Sequence, residues 1–259
     1  LVEQKVIAAL DQARGTQAVA RLNRLGGAAD PVERLRLIGS EIAGGLVFTT
    51  SFGIEDQALL HLVLEAGIAV EPVTLDTGRL FPATYELWDR TEKRYGLRIR
   101  SYHPDGAVLA AYVADAGING FYRSKADRIA CCGVRKVEPL ARALAGAAGW
   151  LTGLRANQSN ERNHVELASW DEQHGLIKLA PLLDWTREQV ADFCAANDVP
   201  INALHARGFL SIGCEPCTRA LDAGEPERAG RWWWEEGEAK ECGLHVDAAG
   251  RLVRRTALA

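Results

Sequence analysis

Residues 46–66 read LVFTTSFGIEDQALLHLVLEA, and this stretch decides the fold. Leu46 to Phe52 is a short apolar run with β-branched residues, the composition of a buried strand. Ser51, Gly53, Glu55 and Asp56 then bring in polarity, and Glu55 to Ala66 reads as a helix closed by Gly67. A strand that hands over to a helix through a small polar loop is the opening of a βαβ unit. The pattern recurs: Ala69 to Leu75 reads as a second strand, Pro82 to Tyr95 as a helix, and Leu97 to Tyr102 as a third strand.

On either side the same logic extends. The first forty or so residues read as helical, with Asp30 as cap and Pro31 at the first helical position of a segment carrying Leu35, Leu37, Ile38 and Ile42. Downstream, Cys131 to Ala145 reads as helix, Trp150 to Gly153 as the end of a further strand, and Thr186 with Gln189 as a capping box opening a helix through Ala196. From Phe209 the pattern breaks into a Gly/Cys/Pro loop, a Trp triplet and a charged tail. The expected fold is α/β: a mainly parallel twisted sheet flanked by helices, with a C-terminal extension. Residues 1–43 form a helical segment packed on the core, 44–236 the α/β domain and 237–259 the tail.

The chain has 259 residues, 47% hydrophobic and 25% charged, enough to bury an α/β core without disulfides. A net charge of -4 and a pI of about 5.9 argue against nucleic acid or a membrane surface as partner. Any anion must therefore be held by a few local arginines and lysines. No apolar run approaches the roughly 20 residues of a membrane span, and Glu3, Lys5 and Asp11 do not suit a secretory signal. Six cysteines are too sparse for a disulfide scaffold, and a CxxC pair without a signal peptide favours a reducing, cytoplasmic setting. Methionine is absent, and a start at Leu1 leads us to expect that the true N-terminus is missing.

Four of the cysteines form a split set, Cys131-Cys132 and Cys214-Glu215-Pro216-Cys217. Four thiolates from two distant segments suit a closed iron–sulfur or zinc site. Zinc sites usually build on two CxxC knuckles, which an adjacent Cys-Cys pair does not supply. Cys242 stands outside this set beside Lys240 and His245, and a polar setting near positive charge marks it as a candidate nucleophile. Cys194, inside a helical pattern, reads as a buried core residue. The histidines give no ligand cluster: His61 reads as packed, His164 and His174 as loop or strand-edge residues.

The loops after the strands carry the remaining chemistry. Ser51-Phe52-Gly53-Ile54-Glu55-Asp56 joins a strand to a helix, where backbone N–H groups bind phosphate. Taken alone it is equally a plain βα turn. Leu75-Asp76-Thr77-Gly78-Arg79-Leu80 is a second such loop, with Asp76 suited to a ribose hydroxyl and Arg79 to phosphate or sulfate, or else a turn whose Asp and Gly serve geometry only. Trp150 to Arg162 brings Arg155 and Arg162, and Arg228 and Arg231 precede Trp232-Trp233-Trp234. Arginines are usually solvated, but several at strand ends of an acidic protein suggest an anion pocket. The tryptophans read as a packing anchor rather than a base-stacking platform.

Together SFGIED, LDTGRLFPATYE, CCGVRKVEPL, TGLRANQS, SIGCEPCTR, GRWWWEE and KECGLH resemble, in order, the assimilatory adenylylsulfate reductases of bacteria. These are iron–sulfur relatives of the phosphoadenylylsulfate reductases, with a pyrophosphate-loop, adenine-nucleotide-hydrolase-like fold. The resemblance spans about Leu46 to His245. It implies that Cys131, Cys132, Cys214 and Cys217 ligate one [4Fe-4S] cluster per chain and that Cys242 is the nucleophile. It places Ser51 and Gly53 in the pyrophosphate loop, and Leu75, Asp76, Gly78 and Arg79 along the nucleotide. Lys136, Arg162, Arg228 and Arg231 are then expected near the phosphosulfate. Gly53 stands where many cluster-bearing members have Ser, a variation shared with cluster-free relatives that bears on the 3′-substituent.

The implied reaction is thioredoxin-dependent reduction of adenylylsulfate to sulfite and AMP through an S-sulfocysteine, in sulfate assimilation and cysteine biosynthesis. The implied partners are adenylylsulfate or AMP and a thioredoxin-like dithiol protein, with homo-oligomer formation open. Alternatives are a phosphoadenylylsulfate reductase of the same fold, an ATP-pyrophosphatase-type adenylating enzyme, and a non-catalytic zinc-stabilised nucleotide-binding module.

Overall fold

The computed structural model describes residues 2–158, 162 and 164–235, with side chains from residue 12 onward. The expectations for Cys242 and for the tail 237–259 fall outside these residues. In chain order the first elements are α1 (Val2–Gly26), α2 (Pro31–Glu41), β1 (Leu46–Thr50), α3 (Ile54–Ala66), β2 (Glu71–Leu75), α4 (Pro82–Tyr95) and β3 (Arg100–Tyr102). They are followed by α5 (Gly106–Ala116), α6 (Lys125–Cys132), α7 (Glu138–Leu144), β4 (Gly149–Leu151), β5 (Ala168–Asp171), β6 (Leu176–Leu179) and α8 (Arg187–Ala196). The chain divides into two compact units. One comprises Leu1–Thr50, Ile54–Val73 and Leu144–Val199, the other Ser51–Gly53, Thr74–Ala143 and Pro200–Ala259.

The expected α/β class holds: β1, β4 and β6 pair in parallel in a mainly parallel sheet flanked by helices. In the first unit β2, β1, β4, β6 and β5 lie side by side in that order. Leu46 pairs with Gly149 and Gly149 with Ile177, both in parallel register, and β5 runs antiparallel to β6. Phe48, Leu59, Leu62, Leu151 and Leu179 fill the core beside these strands. α2 begins as its Asp-Pro signal predicts, with the Asp30 carboxylate accepting from Glu33 N at 2.9 Å. Within it Arg34 is buried and bidentate to Asp184 at 2.6 and 2.7 Å, and also donates to the carbonyls of Gly26, Gly27 and Pro181. A guanidinium is suited to such a position because its planar fork satisfies several acceptors at once.

Several expected boundaries are corrected. β1 ends at Thr50 rather than Phe52, because Phe52 takes a left-handed conformation at φ 60° that no strand accommodates. β3 begins at Arg100 rather than Leu97, since Gly96 (φ 64°) caps α4 and the N–H groups of Gly96 and Leu97 are still spent on the Glu92 carbonyl. The helix expected from Cys131 opens earlier, at Lys125 behind the Ser124 cap, and passes through a π turn at Gly133–Val137. Two features had no expectation. α5 starts at the Asp105 cap; it is apolar nearly all round, so its sequence shows no period, although Leu109, Tyr112, Val113 and Ala116 form a half-buried stripe. The β5–β6 hairpin has strands of four residues, too short for a periodic signal. The capping box at Thr186 and Gln189 is present as expected.

Candidate functional site

In the second unit the loop after β2 lies along the cysteine loop. Glu215 N donates to Arg79 O at 2.8 Å, and Leu80 and Cys214 form an antiparallel bridge. Thr77, buried and not singled out from sequence, has its hydroxyl 3.2 Å from the Cys214 sulfur and accepts from Arg79 N. Arg135 donates to Thr77 O at 2.6 Å, so CCGVRK and LDTGRL are joined as well. The sequence signal for Arg135 was its place two residues after the Cys131-Cys132-Gly133 run; for Thr77 there was none beyond its loop.

The four cysteines expected to act together all belong to this unit. Cys131, Cys214 and Cys217 share an apolar cluster with Phe121, Trp232 and Trp234, and Cys132 interacts electrostatically with Cys217. Lys136, on the π turn after Cys132, acts on both Cys214 and Cys217. Burial pushes the Cys217 thiol up to about 12, with Cys214 adding to the shift. Burial also acts to raise Cys214, but Lys136, the Thr77 hydroxyl, Arg231 and Arg135 together bring it below the usual thiol range. Basic groups and a hydroxyl aimed at sulfur favour thiolate, the form that binds metal.

Three further donors bear on what the cysteines hold. Arg231 Nε, Trp232 Nε1 and Trp234 Nε1 are buried with no acceptor among the described residues. Buried N–H groups left unpaired are costly, and anionic sulfur beside them would accept. Among the described residues no three His, Cys, Asp or Glu side chains converge as one metal ion requires. Four cysteines in one unit, with cationic groups and buried N–H donors beside them, make a donor set that suits a group bound through sulfur.

Trp232 is held between two guanidiniums, Arg128 at 4.5 Å and Arg231 at 4.6 Å from its ring centroid. Arg231 lies so close to the cysteine loop that a Cβ on Gly213 would stand 2.3 Å from Nη2, which explains glycine there. Arg228 is half-buried, its carbonyl accepting from Arg231 N at 3.0 Å. Arg79 donates to Ile118 O and Asn119 Oδ1 and lies over Phe121. Asp76 Oδ1 accepts from Gly78 N at 2.9 Å and from the Tyr85 hydroxyl at 2.7 Å, so its loop-shaping role is present. Ser51 is exposed and Gly53 half-buried around Phe52, whose ring is buried against Leu87 and Ile99 and stacked on Trp88 at 5.6 Å. A bulky residue in the left-handed region is strained, and packing of its ring holds the loop in that shape.

The TGLRANQS motif belongs to the first unit. Arg155, 1% exposed, pairs with Glu55 of the SFGIED motif at 2.7 Å, and Arg162, also buried, donates to Gln158 Oε1. Cys194 is buried there and His61 packs edge-on against Phe193, as expected of core residues. Burial acts to raise Glu55, yet Arg155 beside it holds the carboxyl below its usual range. Such a group contributes stability above its unfolded pKa, and the contribution is lost as pH falls through the folded value. Glu55→Gln is therefore expected to cost about 3 kcal/mol at pH 7, with the deficit shrinking at acid pH as the wild-type carboxylate is protonated. Urea titrations at pH 7 and across the acid limb test this; a pH-independent deficit would assign the loss to packing instead.

Residues 45–220 match the model for the phosphoadenosine phosphosulfate reductase domain. The chain belongs to that family. It is 53% identical to adenosine 5'-phosphosulfate reductase of Rhizobium meliloti (strain 1021), over 86% of this chain and 84% of that one. It is 48% identical to adenosine 5'-phosphosulfate reductase of Allochromatium vinosum, over 84% of each. Among solved structures it resembles phosphoadenylyl-sulfate (PAPS) reductase from Candida auris, with TM-score 0.66 and 27% identity, covering 78% of this chain and 96% of that one. The phosphoadenosine phosphosulfate reductase match thus takes in both polar loops, the TGLRANQS motif and all four clustered cysteines; Cys242 lies beyond it. No helix among the described residues is long and apolar enough to cross a membrane.

Proposed function

We propose that this chain reduces adenylylsulfate to sulfite and AMP, with Cys242 as nucleophile and a thioredoxin-like dithiol as reductant. The observation that carries the reading is the backbone pairing of the nucleotide loop, Asp76 to Leu80, with the cysteine loop at Cys214 and Glu215. Family members named for adenosine 5'-phosphosulfate support the substrate.

The chemistry follows from the substrate's mixed anhydride. The Cys242 thiolate attacks sulfur, the bond from sulfur to the bridging oxygen breaks, and AMP leaves with the electron pair. One thiolate of a dithiol then attacks the Cys242 sulfur of the S-sulfocysteine and displaces sulfite, and its second thiol opens the resulting mixed disulfide, freeing the Cys242 thiol and closing the dithiol's own disulfide. Thiolate and substrate are both anions, so Lys136, Arg228 and Arg231 offset their repulsion and stabilise charge on the departing phosphate. Ser51, Gly53, Leu75, Asp76 and Gly78 line the nucleotide. Arg79 has donors beyond the two it spends on Ile118 and Asn119 with which to meet an anion. Cys131, Cys132, Cys214 and Cys217 would hold one [4Fe-4S] cluster, which supplies structural and electrostatic support; the electrons come from thiols. The five described cysteines are free of disulfides, which suits a reducing, cytoplasmic setting.

Thioredoxin-coupled sulfite release from adenylylsulfate tests the proposal, and AMP with pyrophosphate formed from ATP instead would overturn it. The same assay decides the 3′-substituent. In a net acidic protein an added phosphate needs a dedicated cation, and lacking one costs about a hundredfold in specificity. kcat/KM is accordingly expected to favour adenylylsulfate over phosphoadenylylsulfate by about that factor. Equal values would make the enzyme dual-specific, and a reversed ratio would assign it to the phosphorylated nucleotide.

A further inference from the structure

Arg128 lies one helical turn before Cys132 on α6, so both side chains share a face. It is 1% exposed, and three different groups meet at its guanidinium. Nε and Nη2 form a fork onto the Glu235 carboxylate at 2.6 and 3.0 Å. The indole of Trp232 stacks on it at 4.5 Å, and it hydrogen-bonds the Cys132 sulfur. The segment that ends in Glu235 is itself laid on the cysteine loop. Trp232 N donates to Cys217 O at 3.1 Å, Thr218 and Arg231 form an antiparallel bridge, and Glu235 N closes a turn onto Trp232 O.

We propose that Arg128 is a positioning residue: by gripping Glu235 while it contacts Cys132, it anchors the root of the segment that carries Cys242 to the four-cysteine centre. This rests on Cys242 as the nucleophile. Six residues lie between Glu235 and Cys242, a span of seven Cα steps, so the thiolate must react within about 25 Å of the anchor. Fixing the root sets the local concentration of the thiolate and its direction of approach. A carboxylate is required at position 235 because a buried guanidinium demands an anionic, bidentate partner. Because Cys132 and Glu235 share one arginine, the cysteine centre has a task beyond holding its own loops.

The test compares full-length, iron-loaded wild type with Glu235→Gln, a change of one atom type at a site remote in sequence from every proposed ligand. Rapid mixing with adenylylsulfate alone, followed by mass spectrometry of the Cys242 peptide, gives the rate of S-sulfonation. Trypsin cleavage after Lys240 gives, independently, how firmly the segment is held. The expected result is S-sulfonation slowed fivefold or more and cleavage accelerated fivefold or more, with iron content and AMP affinity unchanged. Glu235→Asp, which keeps the carboxylate, should recover most of both. A smaller change in either rate, or losses of iron or AMP binding that match the slowing, overturns the proposal. If wild type never sulfonates Cys242, the nucleophile reading fails, and the trypsin rates alone then decide whether Arg128 and Glu235 anchor the segment.

Discussion

Replacing Cys242 by serine is expected to abolish sulfite release, lowering kcat by at least about 10³-fold. A serine hydroxyl is protonated at neutral pH and a poor nucleophile toward sulfur, whereas a cysteine thiol ionises far more readily and its thiolate is strongly nucleophilic. The variant should still bind AMP, because every nucleotide-lining residue proposed above lies elsewhere, and it should still carry iron, because Cys242 stands outside the four-cysteine set. Wild type mixed with adenylylsulfate and no reductant should gain one SO3 on the Cys242 peptide and release one equivalent of AMP. An active serine variant, or SO3 on another cysteine, would move the nucleophile elsewhere.

The second large effect concerns Cys131, Cys132, Cys214 and Cys217, which are expected to fail as one unit. Serine at any one position should remove iron, visible absorption and most activity together, since a cluster with an open corner is labile. Melting temperature should fall as well, because metal binding and folding of the loops around a site are linked. The structure adds a reason for breadth: Cys214 touches Thr77, Cys217 accepts from Trp232 N through its carbonyl, and Cys132 meets Arg128. Loss at one corner therefore loosens the nucleotide loop and the Trp232 turn alike. Stoichiometric zinc, with neither iron nor sulfide in anaerobically purified protein, would replace the cluster with a structural zinc site.

Much of the fold was legible along the chain because it rests on local rules. LVFTT alternates with nothing and is buried on both faces, as a central parallel strand should be. The caps at Asp30 and Thr186 appeared where Asp-Pro and the Thr–Gln pair placed them. The cysteine set was legible for a different reason: thiolate pairs at two points of a chain are rare, and few groups take four of them. What stayed hidden was short or unpatterned. Phe52 in a left-handed conformation runs against its own backbone preference, and only its burial against Leu87, Trp88 and Ile99 explains it. α5, apolar on nearly every side, offered no period to read.

By itself, then, the order of residues determined the alternation of strands and helices, the two polar loops that end strands, and the two cysteine pairs that the fold gathers into one unit. These depend on neighbours within a turn or two. Only the tertiary structure decided which charges meet: Arg34 finds Asp184, Arg155 finds Glu55 and Arg128 finds Glu235, across 150, 100 and 107 positions. No local preference encodes such pairs. A buried guanidinium requires an anion, but which carboxylate supplies it is settled by packing, which brings distant segments within hydrogen-bond reach.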